Sequence, residues 1–113
     1  MEAYLEVWEG SGARLAGLTD RTTIGRVPPN DIVVAEDPTV SRIHAVLEDY
    51  GAGWTIRDVG AANGTFVNGE RIHSETVLRH GDEIRVGATR LVYLTRPSEE
   101  SAGTLQDEQT RPV

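Results

Sequence analysis

The chain has 113 residues, enough for one domain with a single core, and carries 18 acidic against 11 basic residues, a formal net charge of −7. That balance excludes the clustered lysine and arginine with which nucleic-acid binders displace counterions from phosphate backbones. There is no cysteine, which excludes disulfide staples, thiolate metal sites and cysteine nucleophiles.

The first ten residues, MEAYLEVWEG, carry acids where a secretory signal would carry bases, and no long apolar run follows, so a cytoplasmic setting is expected. AYLEVWE (residues 3–9) alternates, with Ala3, Leu5 and Val7 opposite Tyr4, Glu6 and Trp8, as in a strand with one buried side. GSGARLAG (10–17) is glycine-rich but lacks the Gly-Lys-Ser/Thr of a nucleotide-binding loop. A strand is expected to end at Gly25-Arg26, where VPPND (27–31) makes a stiff turn. Its prolines hold Arg26 at a loop mouth, so the guanidinium is presented with little entropy loss.

IHAVLEDY (43–50) places Ile43, Ala45 and Leu47 on one buried face, and GWTIRDV (53–59) returns as a hairpin across YGAG. Asn63-Gly64 and Asn68-Gly69 read as two tight hairpin turns, with no further role for Asn68. EIRVGATRLVYLTR (83–96) gives two more strands around Gly87-Ala88. Nothing in this span keeps a helical period for three turns. Many short strands at close spacing predict an all-β sandwich or barrel. Trp8 and Trp54 are expected to serve packing, and Arg79 to be solvated.

Residues 98–113, SEESAGTLQDEQTRPV, hold one arginine against four acids, with only Leu105 and Val113 as sizeable apolar side chains. Such a stretch buries too little to offset its ordering entropy, so it is expected to be a disordered tail or linker. The binding domain is expected over residues 1–97.

Three segments hold groups suited to an anion: TIGRVPPNDIVV (23–34), DPTVSRIHA (37–45) and RDVGAANGTFVNGERI (57–72). A phosphate monoester brings close to two charges and three acceptor oxygens. A fork donor, a hydroxyl and free amides on a rigid frame hold such a group, and Arg26, Ser41 and the amides around Arg42 supply them if the loops share one end of a sandwich.

In combination, Gly25-Arg26, Ser41-Arg42-x-His44 and Asn63-Gly64-Thr65-x-x-Asn68-Gly69 resemble the forkhead-associated (FHA) domain, a phosphothreonine-binding module. LRHGDEIRVG (78–87) resembles the family's penultimate hairpin, and the similarity runs from the first strand to about Arg96. The resemblance implies a sandwich of about eleven short strands with ligand loops at one end. It implies that Arg26 contacts the phosphate, Ser41 donates its hydroxyl, Arg42 adds a backbone N–H and a second charge, and Asn63 bridges to the peptide main chain. Gly25, His44, Gly64 and Thr65 would support the site, His44 by hydrogen bonds across loops.

There is one departure from the family's pattern. Ser, Thr or sometimes Arg often precedes the asparagine there, whereas Ala62 stands here with only its backbone N–H; a lost charge-assisted hydrogen bond costs roughly 1.5–3 kcal/mol. The function implied is phosphothreonine-dependent interaction with a partner protein or peptide, downstream of a bacterial Ser/Thr kinase and with preference for threonine over serine. No cofactor, metal, nucleic acid or membrane is implied. The alternative is a phosphate-independent scaffold within a larger regulatory protein. Thr104, with Asp107 three residues on, and Thr110 are candidate phosphorylation sites that would fold back onto the site or bridge to a second copy.

Catalysis is not expected. Ser41, His44 and Asp58 hold the residue types of a triad, but Ser41 and His44 fall close together on one stretch without a Gly-x-Ser-x-Gly elbow. His44, His73 and His80 lack metal-ligand spacing.

Overall fold

The alternating segments fold into strands, as the computed structural model shows for residues 2–10 and 12–96. The expected tail over 98–113, with Thr104 and Thr110, lies outside the described residues. In chain order the strands are β1 (Glu2–Glu9), β2 (Gly12–Gly17), β3 (Arg21–Gly25), β4 (Ile32–Val33), β5 (Ala45–Asp49), β6 (Trp54–Asp58), β7 (Thr65–Val67), β8 (Glu70–Arg71), β9 (Thr76–Val77), β10 (Glu83–Val86) and β11 (Thr89–Arg96). Six form one sheet in the order β2-β1-β11-β10-β7-β8, and five form the other, β4-β3-β5-β6-β9. Among the described residues only β3 and β4 pair in parallel. No helix forms among the described residues, so none is long and apolar enough to cross a membrane. The all-β sandwich of eleven strands agrees with the expectation.

Alternation decides what each sheet buries. Leu5, Val7, Ile84, Val86 and Leu91 of the six-stranded sheet join Ile24, Leu47 and Ile56 of the other in one core. Each of these aliphatic side chains contributes about 1.5–3 kcal/mol by leaving water. Trp54 belongs to this core, whereas Trp8 lies on the outer face with the Arg90 guanidinium 5.2 Å above its ring. Both serve packing.

Three local expectations are corrected. Ile43 does not share a face with Ala45 and Leu47: it is 59% exposed, and the strand begins only at Ala45. The chain bends over 42–43 so that His44 and Ala45 are both buried, which breaks the two-residue period. Asn63-Gly64 is not a two-residue hairpin. Its Gly64 amide donates to the Ala61 carbonyl (3.3 Å), and only Gly64 of the two has a positive φ (79°). Asn68-Gly69 is such a hairpin, both residues having positive φ (52° and 87°), and it joins β7 to β8.

Asn68 also does more than turn the chain. Its Nδ2 donates to Asp82 (3.0 Å) and its Oδ1 accepts the Glu83 amide (3.0 Å), which pins the hairpin to the start of β10.

Candidate functional site

Loops from both sheets gather at one end of the sandwich, tied first by backbone bonds. Beyond β3, the Arg26 amide donates to the Ser41 carbonyl (3.0 Å), the His44 amide to Ile24 (2.8 Å) and the Val34 amide to Gly25 (2.8 Å). Loops 26–31 and 34–44 are therefore held side by side. The Asn30 side chain closes the gap between them, its Nδ2 donating to the Val27 and Arg42 carbonyls (2.7 and 2.6 Å).

That contact explains Gly25. A Cβ there would overlap the Arg42 carbonyl and the Asn30 amide, so glycine serves close approach here and not an unusual φ. At Gly64 the conformational reason stands, since its φ is 79° and Arg71 covers it.

Loop 34–44 is fastened on its other side by Asp37. Its carboxylate accepts the Thr39 amide and, from the β10–β11 turn, the Ala88 amide (2.9 Å) and the Thr89 hydroxyl (2.7 Å). Burial pushes this acid up, but the donors from Thr39, Thr89 and Ala88 outweigh it and hold the pKa at about 2.

The third loop, 59–64, is organised from within. Asp58 accepts the Gly60 and Ala61 amides (2.7 and 2.9 Å) on one oxygen and the buried Thr65 hydroxyl (2.6 Å) on the other. Burial raises the Asp58 pKa, and those three donors more than reverse it, leaving the carboxyl below its ordinary value.

His44 joins this loop to loop 34–44. The imidazole is fully buried; Nδ1 accepts the Ser41 amide (3.0 Å) and Nε2 lies 2.8 Å from the Gly64 carbonyl. A backbone amide can only donate, so Nδ1 is the acceptor and the proton sits on Nε2, which donates to Gly64. The expected bridging role of His44 matches this geometry.

On that frame the polar groups converge. The half-buried Arg26 spends its Nε on the Val40 carbonyl (2.8 Å), while its two terminal nitrogens have no hydrogen-bond or ion-pair partner among the described residues. Ser41 Oγ accepts the Ala62 amide (3.1 Å), which leaves the hydroxyl proton to donate elsewhere. The Ala62 N–H is thus already engaged with Ser41. Asn63 Nδ2 donates to the Thr39 carbonyl (2.9 Å), and Arg42 is exposed beside Ser41.

Arg26, Ser41, Arg42, Ala62 and Asn63 thus come together, with Gly25, His44, Gly64 and Thr65 beneath them. The histidine takes the Ser41 amide and not its hydroxyl, so no nucleophile–base contact exists between the two.

Asn30 and Asp37 were not foreseen as part of the site, and Asp58 was weighed only as a triad acid. Asp37 and Asp58 each accept an amide two residues on, and Asp-x-Thr and Asp-x-Gly are legible as Asx turns. Asn30 has a local partner in the Val27 carbonyl, but its bond to the Arg42 carbonyl, which joins the two loops, spans 12 residues and leaves no local signal.

The family model described as FHA domain matches residues 22–87, more than half of the chain. This chain belongs to the FHA domain family. It is 42% identical over 104 residues to the glycogen accumulation regulator GarA of Mycolicibacterium smegmatis, a match covering 90% of this chain and 65% of that protein. It is 44% identical over 95 residues to an oxoglutarate dehydrogenase inhibitor of Corynebacterium diphtheriae, covering 82% and 65% respectively. The chain therefore spans just under two thirds of the length of these curated relatives. Among solved structures, an FHA domain from a study of phosphothreonine-dependent FHA domain interactions superposes with a TM-score of 0.78 at 30% identity, covering 86% of this chain and 99% of that one.

Proposed function

We propose that this FHA domain is a phosphothreonine-dependent interaction module that docks a segment of a partner protein after a Ser/Thr kinase has modified it. The observation that carries this reading is the pair of unspent donors at one loop end. Arg26 is oriented through its Nε with both terminal nitrogens uncommitted, and the neighbouring Ser41 hydroxyl is held by Ala62 so that its proton is available.

A dianionic phosphate takes the guanidinium fork on two oxygens and the hydroxyl on the third. Arg42 adds an exposed positive charge, while the Ala62 N–H is spent on positioning the Ser41 hydroxyl. Asn63 holds the peptide main chain beside the phosphothreonine. Gly25, His44, Gly64 and Thr65 keep the loops in register.

The solved relative's phosphothreonine-dependent interactions support the same use of this fold. The names regulator and inhibitor borne by the relatives fit a binding protein working in the cytoplasm and not an enzyme.

Fluorescence anisotropy with matched threonine, phosphothreonine and phosphoserine peptides tests the reading. Phosphothreonine is expected to bind best, and Arg26→Ala to weaken it by roughly 30-fold or more through loss of a charge-assisted pair. Equal affinity for phosphorylated and unphosphorylated peptides would overturn it. One observation favours a second reading, a phosphate-independent scaffold: Ala62 supplies no side-chain donor where relatives of this type often carry one. That outcome of the same titration would establish it.

A further inference from the structure

At the pole opposite the ligand loops, β1 and β11 of one sheet face β5 and β6 of the other across two adjoining hollows. One, of about 380 Å³, is lined by Glu2, Tyr4 and Asp20, the other, of about 260 Å³, by Gly53 and Tyr93, and both by Ala3, Asp49 and Trp54. The shared residues make them one crevice. Backbone bonds fix its walls: the Asp49 amide donates to the Asp20 carbonyl (3.1 Å), Leu18 to Ala3 (2.9 Å) and Tyr50 to Gly53 (3.0 Å).

Two side chains of the lining are buried with their polar groups unspent. Trp54 is 8% and Tyr93 3% exposed, yet neither the indole N–H nor the phenol O–H has a hydrogen-bond partner among the described residues. Buried polar groups are unfavourable unless paired, so a polar ligand entering the crevice gains what the fold leaves open. Burial first, and then the Asp49 and Asp82 carboxylates, push the Tyr93 pKa up, so the phenol keeps its proton.

The mouth of the crevice is acidic. Asp20 and Asp49 are exposed and have no ion-pair partner among the described residues. Asp49 gives one oxygen to the Gly51 amide (2.8 Å) and keeps the other. The neighbouring arginines are engaged, Arg21 with Glu48 (3.5 Å) and Arg96 with Glu2 (3.8 Å). Residues 98–113 hold four acids against one arginine and so match this mouth poorly. A basic ligand from another protein matches it well.

We propose that this crevice is a second, phosphate-independent binding site that takes an arginine-bearing segment of a partner protein. The guanidinium pairs with the Asp20 and Asp49 carboxylates and donates to the Tyr93 oxygen, while a main-chain carbonyl of the segment accepts the Trp54 N–H. Arginine suits the site better than lysine, because its planar fork serves two carboxylates and also stacks on aromatic faces. The site lies away from Arg26 and Ser41, so it stays open while the loops hold a ligand.

A nuclear magnetic resonance titration of the isotope-labelled whole chain tests this, with acetyl-Gly-Gly-Arg-Gly-Gly-amide and the same peptide carrying citrulline for arginine. The chain has two tryptophans, and the Trp8 indole already donates to Glu6 (3.0 Å), so its resonance is the internal reference. The arginine peptide is expected to move the Trp54 indole resonance saturably, with a dissociation constant on the order of 1 mM, and to leave Trp8 in place. Combining Asp20→Asn with Asp49→Asn should weaken it about fivefold or more. Asparagine at 49 keeps an acceptor for the Gly51 amide, so the hairpin persists. Tyr93→Phe, which removes only the hydroxyl, should weaken it about threefold or more. Both variants should bind a phosphothreonine peptide within about twofold of wild type, as changes away from the loops.

An unmoved Trp54 resonance, equal shifts from the citrulline peptide, or an unchanged constant in either variant overturns the proposal. Were the Trp54 resonance to move with protein concentration alone, the occupant would be a second copy of the chain, and the proposal fails as well. None of these results bears on Arg26, whose phosphate dependence the anisotropy titration reads separately.

Discussion

Ala62 and Gly25 show how a single position sets what the loops can hold. Ala62 presents only its amide to Ser41, so Ala62→Ser adds a donor at the loop mouth. It should tighten a phosphothreonine peptide by about tenfold or more, the worth of one added hydrogen bond to a charged group, as calorimetry would register. Gly25→Ala acts in the opposite direction. Its Cβ would displace the Asn30 amide or the Arg42 carbonyl, at a cost of roughly 1–3 kcal/mol and several degrees in Tm, measurable by thermal denaturation. Phosphopeptide affinity should fall with it, because the same carbonyl belongs to the strand entry that carries Ser41. Most of the positions that gather at the loop end are legible in the sequence, since Gly-Arg, Ser-Arg-x-His and Asn-Gly form an ordered motif. Asn30 is not, because the clamp it makes joins positions 12 residues apart.

Among the elements, the loops are stiffened by carboxylates that accept several donors at once. Asp37 fastens loop 34–44 to the β10–β11 turn, and its pKa is depressed to about 2 from 3.8. A depressed folded-state pKa gives stability that is present above the unfolded value and lost as pH falls through the folded one. Asp37→Asn should therefore lower stability near neutral pH, by about 1 kcal/mol once solvent screening of this half-exposed acid is allowed for. The gap to wild type should close between pH 4 and 2. Urea unfolding of both proteins across that range checks the sign.

Strands whose apolar residues alternate, such as β1 and β6, are readable because one face of each meets the core. Ile43 broke the pattern because a buried histidine, with fixed partners at Ser41 and Gly64, dictates the path of the chain just before β5. A period of two carries no information about such a polar anchor. The Asn68 clamp was missed for a related reason: turn chemistry accounts for its backbone but says nothing of a side chain reaching Asp82 and Glu83.

For the molecule as a whole, β11 lies inside the six-stranded sheet between β1 and β10, and its last residue pairs with the first of β1, Arg96 opposite Glu2. We propose residues 1–97 as the binding domain. A chain cut after Pro97 is expected to melt within about 2 °C of the full chain and to bind the same phosphopeptides, as scanning calorimetry and anisotropy would report. The pairing has a second effect. β1 and β11 each run eight residues, roughly 25 Å of extended chain, and the turn that opens β11 touches Thr39 at the ligand end. Residues 2 and 96 thus leave from the pole remote from those loops. Fusion to other modules at either side, or in tandem, would leave the recognition pole facing outward, so the unit is built to be inserted into longer polypeptides without being blocked by its neighbours.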